Sequence, residues 1–539
     1  MKDTLIILGA GVMQGPAIQI AKSLGFFTIV LDGSGSAPCI SMADRFEQID
    51  LKDKEGIEAF ARSVRKNSDR LGIVTAGTDF SASVAWVSEK LGLPGIPYET
   101  ALNASDKSRM RECFKKANLP SPDFFTVSAS DAGLSLNEAL YPFPLVIKPV
   151  DNMGSRGCRR VDNIKEFEQA AKSAIGFSRS GRAIAEKYMD GPEFSVDAIV
   201  HHGEITICGL ADRHIFFPPY FIEMGHTMPT VIGKEKQNAL LDTFRAGIRA
   251  LCLDAKENTG AAKGDIKLTS NGPMIGEIAA RLSGGYMSGW TYPYSSGALP
   301  VKAAILAAMG FEPDGLVQNK KWTCAERAFI SIPGTVRQIV INNDDLTIDN
   351  KKLPENVNNF FMRIEEGSKV SFPENNVTKC GNIIASAGER ETAVFAAENA
   401  ARSVLIRLNP NDTQTAAFLE TKTNFPPDAF NITDALRNEL NNLPDAPHSP
   451  LNILHSTFII HPFPAFQSSG LRDYMGRTVQ ETLDAVRKIT GFSLPVSAEN
   501  AENIETPQNA VMLGRSFWAA LIRGSYQGAA YYIDSPGAK

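Results

Sequence analysis

Apolar positions in the first hundred residues recur with two periods. Short continuous runs at 4–8, 27–31 and 72–75 read as buried strands, and residues 17–24, 54–66 and 81–91 read as the helices between them. That alternation predicts a parallel α/β layer. A second unit opens near Asp106-Lys107-Ser108-Arg109 with a helix. It continues through a strand at 145–148, a helix at 164–174, a strand at 182–189 and a hairpin of 194–200 with 205–210. Residues 219–229 read as a loop, 234–251 as a helix. Lys263-Gly264-Asp265-Ile266-Lys267 and Glu277-Ile278-Ala279-Ala280-Arg281 then alternate about the turn Ser270-Asn271-Gly272-Pro273, a hairpin signal. With Asp265 opposite Glu277, one face carries Lys263, Asp265, Lys267, Glu277 and Ala279, and the other carries Ile266, Leu268 and Ile278. A helix at 301–309 closes the unit. Strands at 325–331, 336–341 and 382–387 with a helix at 391–408 predict a small α+β domain. Beyond 409 the pattern fades into a mixed stretch, a linker at 444–450 and helices at 478–488 and 511–523.

A chain of 539 residues is too long for one core, so roughly three or four domains are expected. The net charge of −5 argues against a nucleic-acid partner. No run approaches the ~20 apolar residues of a membrane span, and the N-terminus enters a strand without a leader-like segment. The seven cysteines are scattered without a CxxC, which reads as reduced thiols in a cytoplasmic protein.

The candidate chemistry is more specific. Directly opposed carboxylates repel, and a hard cation that takes oxygen ligands would turn Asp265 and Glu277 into a binding site. Lys148 ends an apolar strand beside the glycine-containing loop Asp151-Asn152-Met153-Gly154-Ser155-Arg156-Gly157, an arrangement suited to a phosphate chain. Glu186-Lys187-Tyr188-Met189 closes the next strand, where backbone can read an adenine edge, and Glu193 follows. Taken singly, each of these also fits a solvated strand end. The turn Gly9-Ala10-Gly11-Val12-Met13-Gln14-Gly15, with Asp32 after the next strand, admits a dinucleotide reading, although its spacing is GxGxxxG.

The ordered set of Asp106-Lys107, Val146-Ile147-Lys148-Pro149, the 151–157 loop, Ala185-Glu186-Lys187-Tyr188-Met189 with Glu193, and Asp265, Glu277 and Arg281 resembles the ATP-grasp superfamily, of the carboxylate–amine ligase type. The resemblance runs from residue 1 to about 408, with Gly367-Ser368-Lys369-Val370 and Lys379-Cys380-Gly381-Asn382 similar to its C-terminal domain. It implies α/β and α+β domains: an N-terminal parallel α/β domain (1–105), an ATP-grasp domain (106–310) with a small lid subdomain at about 120–188, a C-terminal α+β domain (311–408) and an extension (409–539). It further implies ATP and Mg²⁺, as one or two ions with Mn²⁺ as a substitute. Lys107 and Lys148 would meet phosphates under a lid formed by Gly154, Ser155 and Gly157. Glu186, Lys187, Tyr188 and Met189 would line the adenine, and Glu193 would take the ribose. Asp265 and Glu277 would hold metal, Arg281 would stabilise an acyl phosphate, and His226 would donate to a phosphoryl oxygen.

Two positions depart from the family pattern. Ala279 stands where an asparagine is usual, and the first metal acid is an aspartate where glutamate is usual. The implied activity joins a small-molecule carboxylate to an amine, with an amino acid among them. The alternatives are a bicarbonate-phosphorylating carboxylase and an ATP-binding sensor without turnover. A homodimer is left open.

Overall fold

The computed structural model describes residues 2–129, 142–341, 354–445, 457–496 and 510–535. The expected lid range therefore has 130–141 outside the described residues, as does the expected linker from 446 onward. Two compact units emerge: Met1–Glu326 with Ser386–Val394, and Arg327–Ala385 with Phe395–Lys539.

The first unit opens with β1 (Lys2–Leu8), α1 (Gly15–Ser23), β2 (Phe27–Asp32), β3 (Arg45–Gln48), α2 (Lys54–Arg65), β4 (Ser68–Thr75) and α3 (Ser81–Leu91). Its strands pair in parallel in the order β3-β2-β1-β4. Leu5 and Ile7 pack with Ala17 and Ile18 of α1, while Ile6 and Leu8 pack with Ile57 of α2 and Val87 of α3. Both faces of the strand are covered, which is why β1 reads as an unbroken apolar run. α3 stops at Gly92, whose φ of 61° is left-handed and suits glycine at a helix end.

α4 (Tyr98–Ser105) and α5 (Lys107–Lys116) follow. Asp106 separates them and caps α5, its carboxylate accepting the backbone N–H groups of Ser108 and Arg109. β5 (Phe124–Ser128), β6 (Leu145–Pro149), β7 (Arg159–Val161), α6 (Ile164–Phe177) and β8 (Arg182–Lys187) build a small antiparallel sheet, ordered β5-β8-β6-β7. The helix α6 covers it through Phe167 and Ala171 on Leu145, Ile147 and Ala185.

β9 (Glu193–His201), β10 (Glu204–Phe216), β11 (Ile222–Met228), α7 (Lys234–Ala250), β12 (Thr259–Thr269) and β13 (Gly272–Ala279) form the sheet that positions the site. Its antiparallel order is β13-β12-β9-β10-β11. Phe194, Val196, Ile266, Ile275 and Ile278 join Phe244 and Ile248 of α7 in one core. By strand alternation the opposite face carries Glu193, Ser195, Asp197, Lys263, Asp265 and Glu277. A π-helix at Met287–Thr291, then α8 (Tyr292–Ser295), α9 (Pro300–Ala308) and β14 (Thr323–Phe329) complete the run.

The second unit holds β15 (Gly334–Ile341), β16 (Val357–Met362), β17 (Lys369–Val370), β18 (Gly381–Ala387), α10 (Arg390–Ser403), β19 (Val404–Leu408), α11 (Thr413–Glu420) and α12 (Asp434–Asn442). β20 (Thr457–Ile460), α13 (Pro464–Gln467), α14 (Val479–Thr490), β21 (Ala510–Leu513) and α15 (Arg515–Asp534) follow, with α10 and β18 running across the division. Phe430, Phe458, Phe463, Phe466, Leu483 and Trp518 share one core with Leu405 of β19, so the aromatic tail is core. Among the described residues no helix is long and apolar enough to cross a membrane.

Three expectations are corrected. Residues 222–228 are a strand, because Arg213 and His226 pair across β10 and β11. The helix expected at 391–408 ends at Ser403, and the β-branched run that follows pairs with β15. Residues 510–513 pair with β20, so the last helix starts only at Arg515.

Candidate active site

The hairpin closes in the expected register: Asp265 stands opposite Glu277, and Lys263 opposite Ala279. One feature was not legible. Ile266 pairs with Ile275, so Gly276 is an extra residue, a bulge that returns Ile275 to the core face beside Ile278. A side chain at Gly276 would press on the Asp265 carbonyl, its Cβ at 3.0 Å. The Gly276 carbonyl accepts from Nη2 of Arg111 at 2.5 Å.

Arg111 and Lys107 lie one turn apart on α5, both buried. Lys107 Nζ donates to the Asn152 carbonyl at 2.8 Å and stands 3.5 Å from Glu277 Oε1. Arg111 Nε is 2.9 Å from Glu186 Oε1, and Lys148 Nζ is 2.6 Å from Glu186 Oε2. Burial opposes a charge on Glu186, but the cations Arg111 and Lys148 hold its pKa below the ordinary carboxylate value. α5 thereby ties the small sheet to the acidic hairpin. The Glu186 carboxylate is taken up by Arg111 and Lys148. Lys187 and Tyr188 already donate backbone N–H groups to Asp123 and Pro144. The Tyr188 ring is faced by Arg160 at 4.7 Å and Lys267 at 5.5 Å. Lys267 also donates to the Met189 carbonyl at 3.2 Å.

Glu277 is strongly perturbed. Burial pushes its pKa up, yet Lys107, Lys263, Lys148 and Arg281 together bring it down to about 2. Asp265 is equally surrounded. Arg213 Nη1 lies 2.9 Å away, Ser195 Oγ donates at 3.1 Å, and Lys263 pairs with it closely. Arg213, a minor candidate from sequence, is a hub that also pairs with Glu193 and, at 2.7 Å, with Glu223. Ala279, buried opposite Lys263, presents only a methyl group to that lysine.

Among the described residues no group of three or more His, Cys, Asp or Glu side chains is clustered as for a metal cage. Two opposed carboxylates fit Mg²⁺, which keeps several waters and takes one or two carboxylates with substrate phosphates. The loop expected to form a lid lies between β6 and β7, with Gly154, Ser155 and Gly157 all at positive φ (69°, 59° and 68°). Asp151 pins the far side of the loop by accepting from Ser178 Oγ and the backbone of Arg179 and Ser180.

His226 is fully buried in β11, not in a loop. Its Nε2 pairs with Thr291 Oγ1 at 3.0 Å and its Nδ1 lies 3.3 Å from Glu326 Oε2. Arg281 is buried; one Nη donates to the Leu282 carbonyl at 3.1 Å, and among the described residues Nε has no hydrogen-bond partner. Asp197, which no sequence motif singles out, accepts from Ser283 N (3.2 Å) and Ser283 Oγ (2.5 Å), anchoring the segment that follows Arg281. Burial raises its pKa to about 6. Gly77, after β4, and Gly284 approach so closely that a Cβ on Gly77 would lie 3.3 Å from the Gly284 Cα, which brings the N-terminal layer against this segment.

The N-terminal glycine turn is filled by its own chain. Gln14 Oε1 accepts from Gly11 N at 2.9 Å, and a Cβ on Gly9 would meet the Gln14 side chain at 3.0 Å. Asp32 receives Ala10 N and Ser34 N, both at 2.9 Å. The dinucleotide reading therefore lacks its phosphate cradle and its ribose acid.

Residues 141–289 match the ATP-grasp domain model, and the architecture is that of the ATP-grasp fold. Among solved structures it is similar to the L-amino acid ligase of Bacillus licheniformis, with TM-score 0.63 and 20% identity over 76% of this chain and 100% of that one. It is also similar to the phosphoribosylglycinamide synthetase of Anaerococcus prevotii, with TM-score 0.58 and 22% identity over the same shares. Carnosine synthase 1 of Gallus gallus is 24% identical over 58% of this chain, and an ATP-grasp enzyme of Aspergillus fumigatus, fsqD, is 31% identical over 26%. The chain spans 36% and 24% of the length of these two relatives.

Proposed function

We propose that the protein is an ATP-dependent carboxylate–amine ligase that forms an amide through an acyl phosphate, with an amino acid as one substrate and ADP and phosphate as products. A substrate carboxylate oxygen attacks the γ-phosphorus and ADP leaves. The amine then attacks the acyl carbon, phosphate leaves, and the amine loses a proton. The observation that carries this reading is the Asp265–Glu277 pair on a sheet face ringed by Lys107, Lys148, Lys263, Arg213 and Arg281.

Phosphoryl transfer asks a protein mainly for positioning and charge neutralisation. Lys107 and Lys148 meet the triphosphate, Lys148 being oriented by Glu186. Bound Mg²⁺ would neutralise phosphate charge between Asp265 and Glu277. Arg213, Lys263 and Lys107 then exchange carboxylate partners for phosphate oxygens. Gly154, Ser155 and Gly157 fold over to exclude water from the acyl phosphate, and Arg281 faces its developing charge. Glu186, Lys187, Tyr188 and Met189 hold the adenine, and Glu193 the ribose. His226 supports Thr291 and the segment after Arg281 as a positioning residue. The domain division 1–105, 106–310, 311–408 and 409–539 and a cytoplasmic setting belong to the same proposal.

Hydroxylamine trapping tests it whatever the natural amine, because hydroxylamine itself attacks the acyl phosphate. With MgATP and a panel of amino acids and simple carboxylic acids, at least one acid should give a hydroxamate with matching ADP, and Asp265→Asn should abolish both. Turnover stimulated by bicarbonate alone would replace this reading with the carboxylase one. Nucleotide binding without ADP formation for any acid would leave a sensor.

A further inference from the structure

The sheet face that carries Asp265 and Glu277 continues beyond them. Two residues along a strand advance about 6.8 Å, so on β12 Lys263 lies one such step past Asp265, and Ala261 about 14 Å past it. At that distance Ala261 and Arg281 border a cavity of about 70 Å³. Ile73 and Val84 of the N-terminal layer and Ala304 and Ala308, one turn apart on α9, also line it. Arg281 is the only charged residue in that lining. It is 9% exposed, and its Nε is buried without a hydrogen-bond partner among the described residues. A guanidinium set among apolar walls is costly unless acceptors complete it.

We propose that this cavity takes the tail of the carboxylate substrate, a short aliphatic acid whose carboxylate faces Arg281 and whose tail has about two to four carbons. The size follows from the volume, roughly half that of a cavity able to hold benzene. The polarity follows from the lining, which offers methyl and methylene groups and threonine or serine hydroxyls, and no acid that would draw an ammonium group inward. This rests on the ligase reading and narrows it to a substrate class.

The test uses the full chain and four probes: acetate, butyrate, isovalerate and 3-phenylpropionate. Hydroxamate formation with MgATP gives kcat/KM, and calorimetry with Mg·AMP-PNP present gives affinity. Butyrate and isovalerate should exceed 3-phenylpropionate at least tenfold. Ala304→Leu and Ala308→Leu fill the cavity, and should raise KM for butyrate at least tenfold while leaving Mg·AMP-PNP affinity unchanged. Equal use of 3-phenylpropionate, or butyrate kinetics unchanged in both filled variants, overturns the proposal. So does binding of Mg·AMP-PNP with none of the four acids binding. If Mg·AMP-PNP itself fails to bind, the ligase reading has failed. The cavity assignment is then decided by whether butyrate binds the protein alone and loses affinity in Ala304→Leu.

Discussion

Glu277→Gln keeps the shape of the side chain and removes its charge, so its effect reads the electrostatics of the site directly. A pKa brought from 4.5 to about 2 corresponds to roughly 3 kcal/mol of preference for the charged form, at about 1.36 kcal/mol per pH unit. The side chain is 30% exposed, and solvent screening reduces that to about 1–2 kcal/mol of stability lost in the variant without ligand. A depressed carboxylate pKa contributes stability that is fully present above the unfolded value and lost as pH falls through the folded one. The wild-type protein should therefore keep this contribution from pH 8 to about 5 and lose it between 4.5 and 2, a limb missing from the variant. Urea unfolding across that range measures both effects. Mg·ADP at a hundred times its Kd should add about 2.7 kcal/mol to the wild-type protein. A tenfold weaker ligand in the variant forfeits about 1.4 kcal/mol of that. If Glu277→Gln matched wild type in acid stability and in its Mg·ADP response, the assignment of this carboxylate as a neutralised metal ligand would be wrong.

Other changes probe other links. Glu186→Gln leaves Arg111 and Lys148 without their buried partner and should cost about 3–5 kcal/mol in denaturant unfolding. Asp197 has the opposite sign from Glu277: its folded pKa of about 6 exceeds 3.8, so folding binds the proton and stability falls as pH rises from 3.8 to 6. Asp197→Asn should flatten that window in a urea titration series. Gly157→Ala places a β-carbon at a φ of 68°, 2.9 Å from the Phe177 ring. It should cost about 1–2 kcal/mol in the lid and weaken nucleotide binding by fluorescence titration.

The acidic hairpin was legible because its parity is strict. Ile266 and Ile278 had to face one way, and Asp265 and Glu277 followed. The Gly276 bulge was not, since one inserted residue leaves no trace in a pattern already broken by Gly272 and Pro273. Lys107 was found and Arg111 missed, although an i, i+4 pair of basic residues on a helix that must bury one face was available as a signal. β11 reads as a loop in sequence because Gly225 interrupts the alternation and Pro218, Pro219 and Pro229 flank it. Its partner is the long strand β10, whose apolar pattern stops at residue 210 although the strand runs on to Phe216. Asp197 escapes notice because, in a continuous apolar run, a single acid looks like an edge position. Only the fold reveals that Ser283 returns to meet it.

The most direct measurement is a crystal structure with Mg²⁺ and a non-hydrolysable ATP analogue. The account predicts a metal ion within about 2.0–2.1 Å of oxygens from both Asp265 and Glu277, with Lys107 and Lys148 on the phosphates and the salt bridges of Arg213 and Lys263 to Asp265 rearranged. A nucleotide bound elsewhere, with Lys263 and Arg213 still closed on Asp265 and no metal between the two carboxylates, would contradict it.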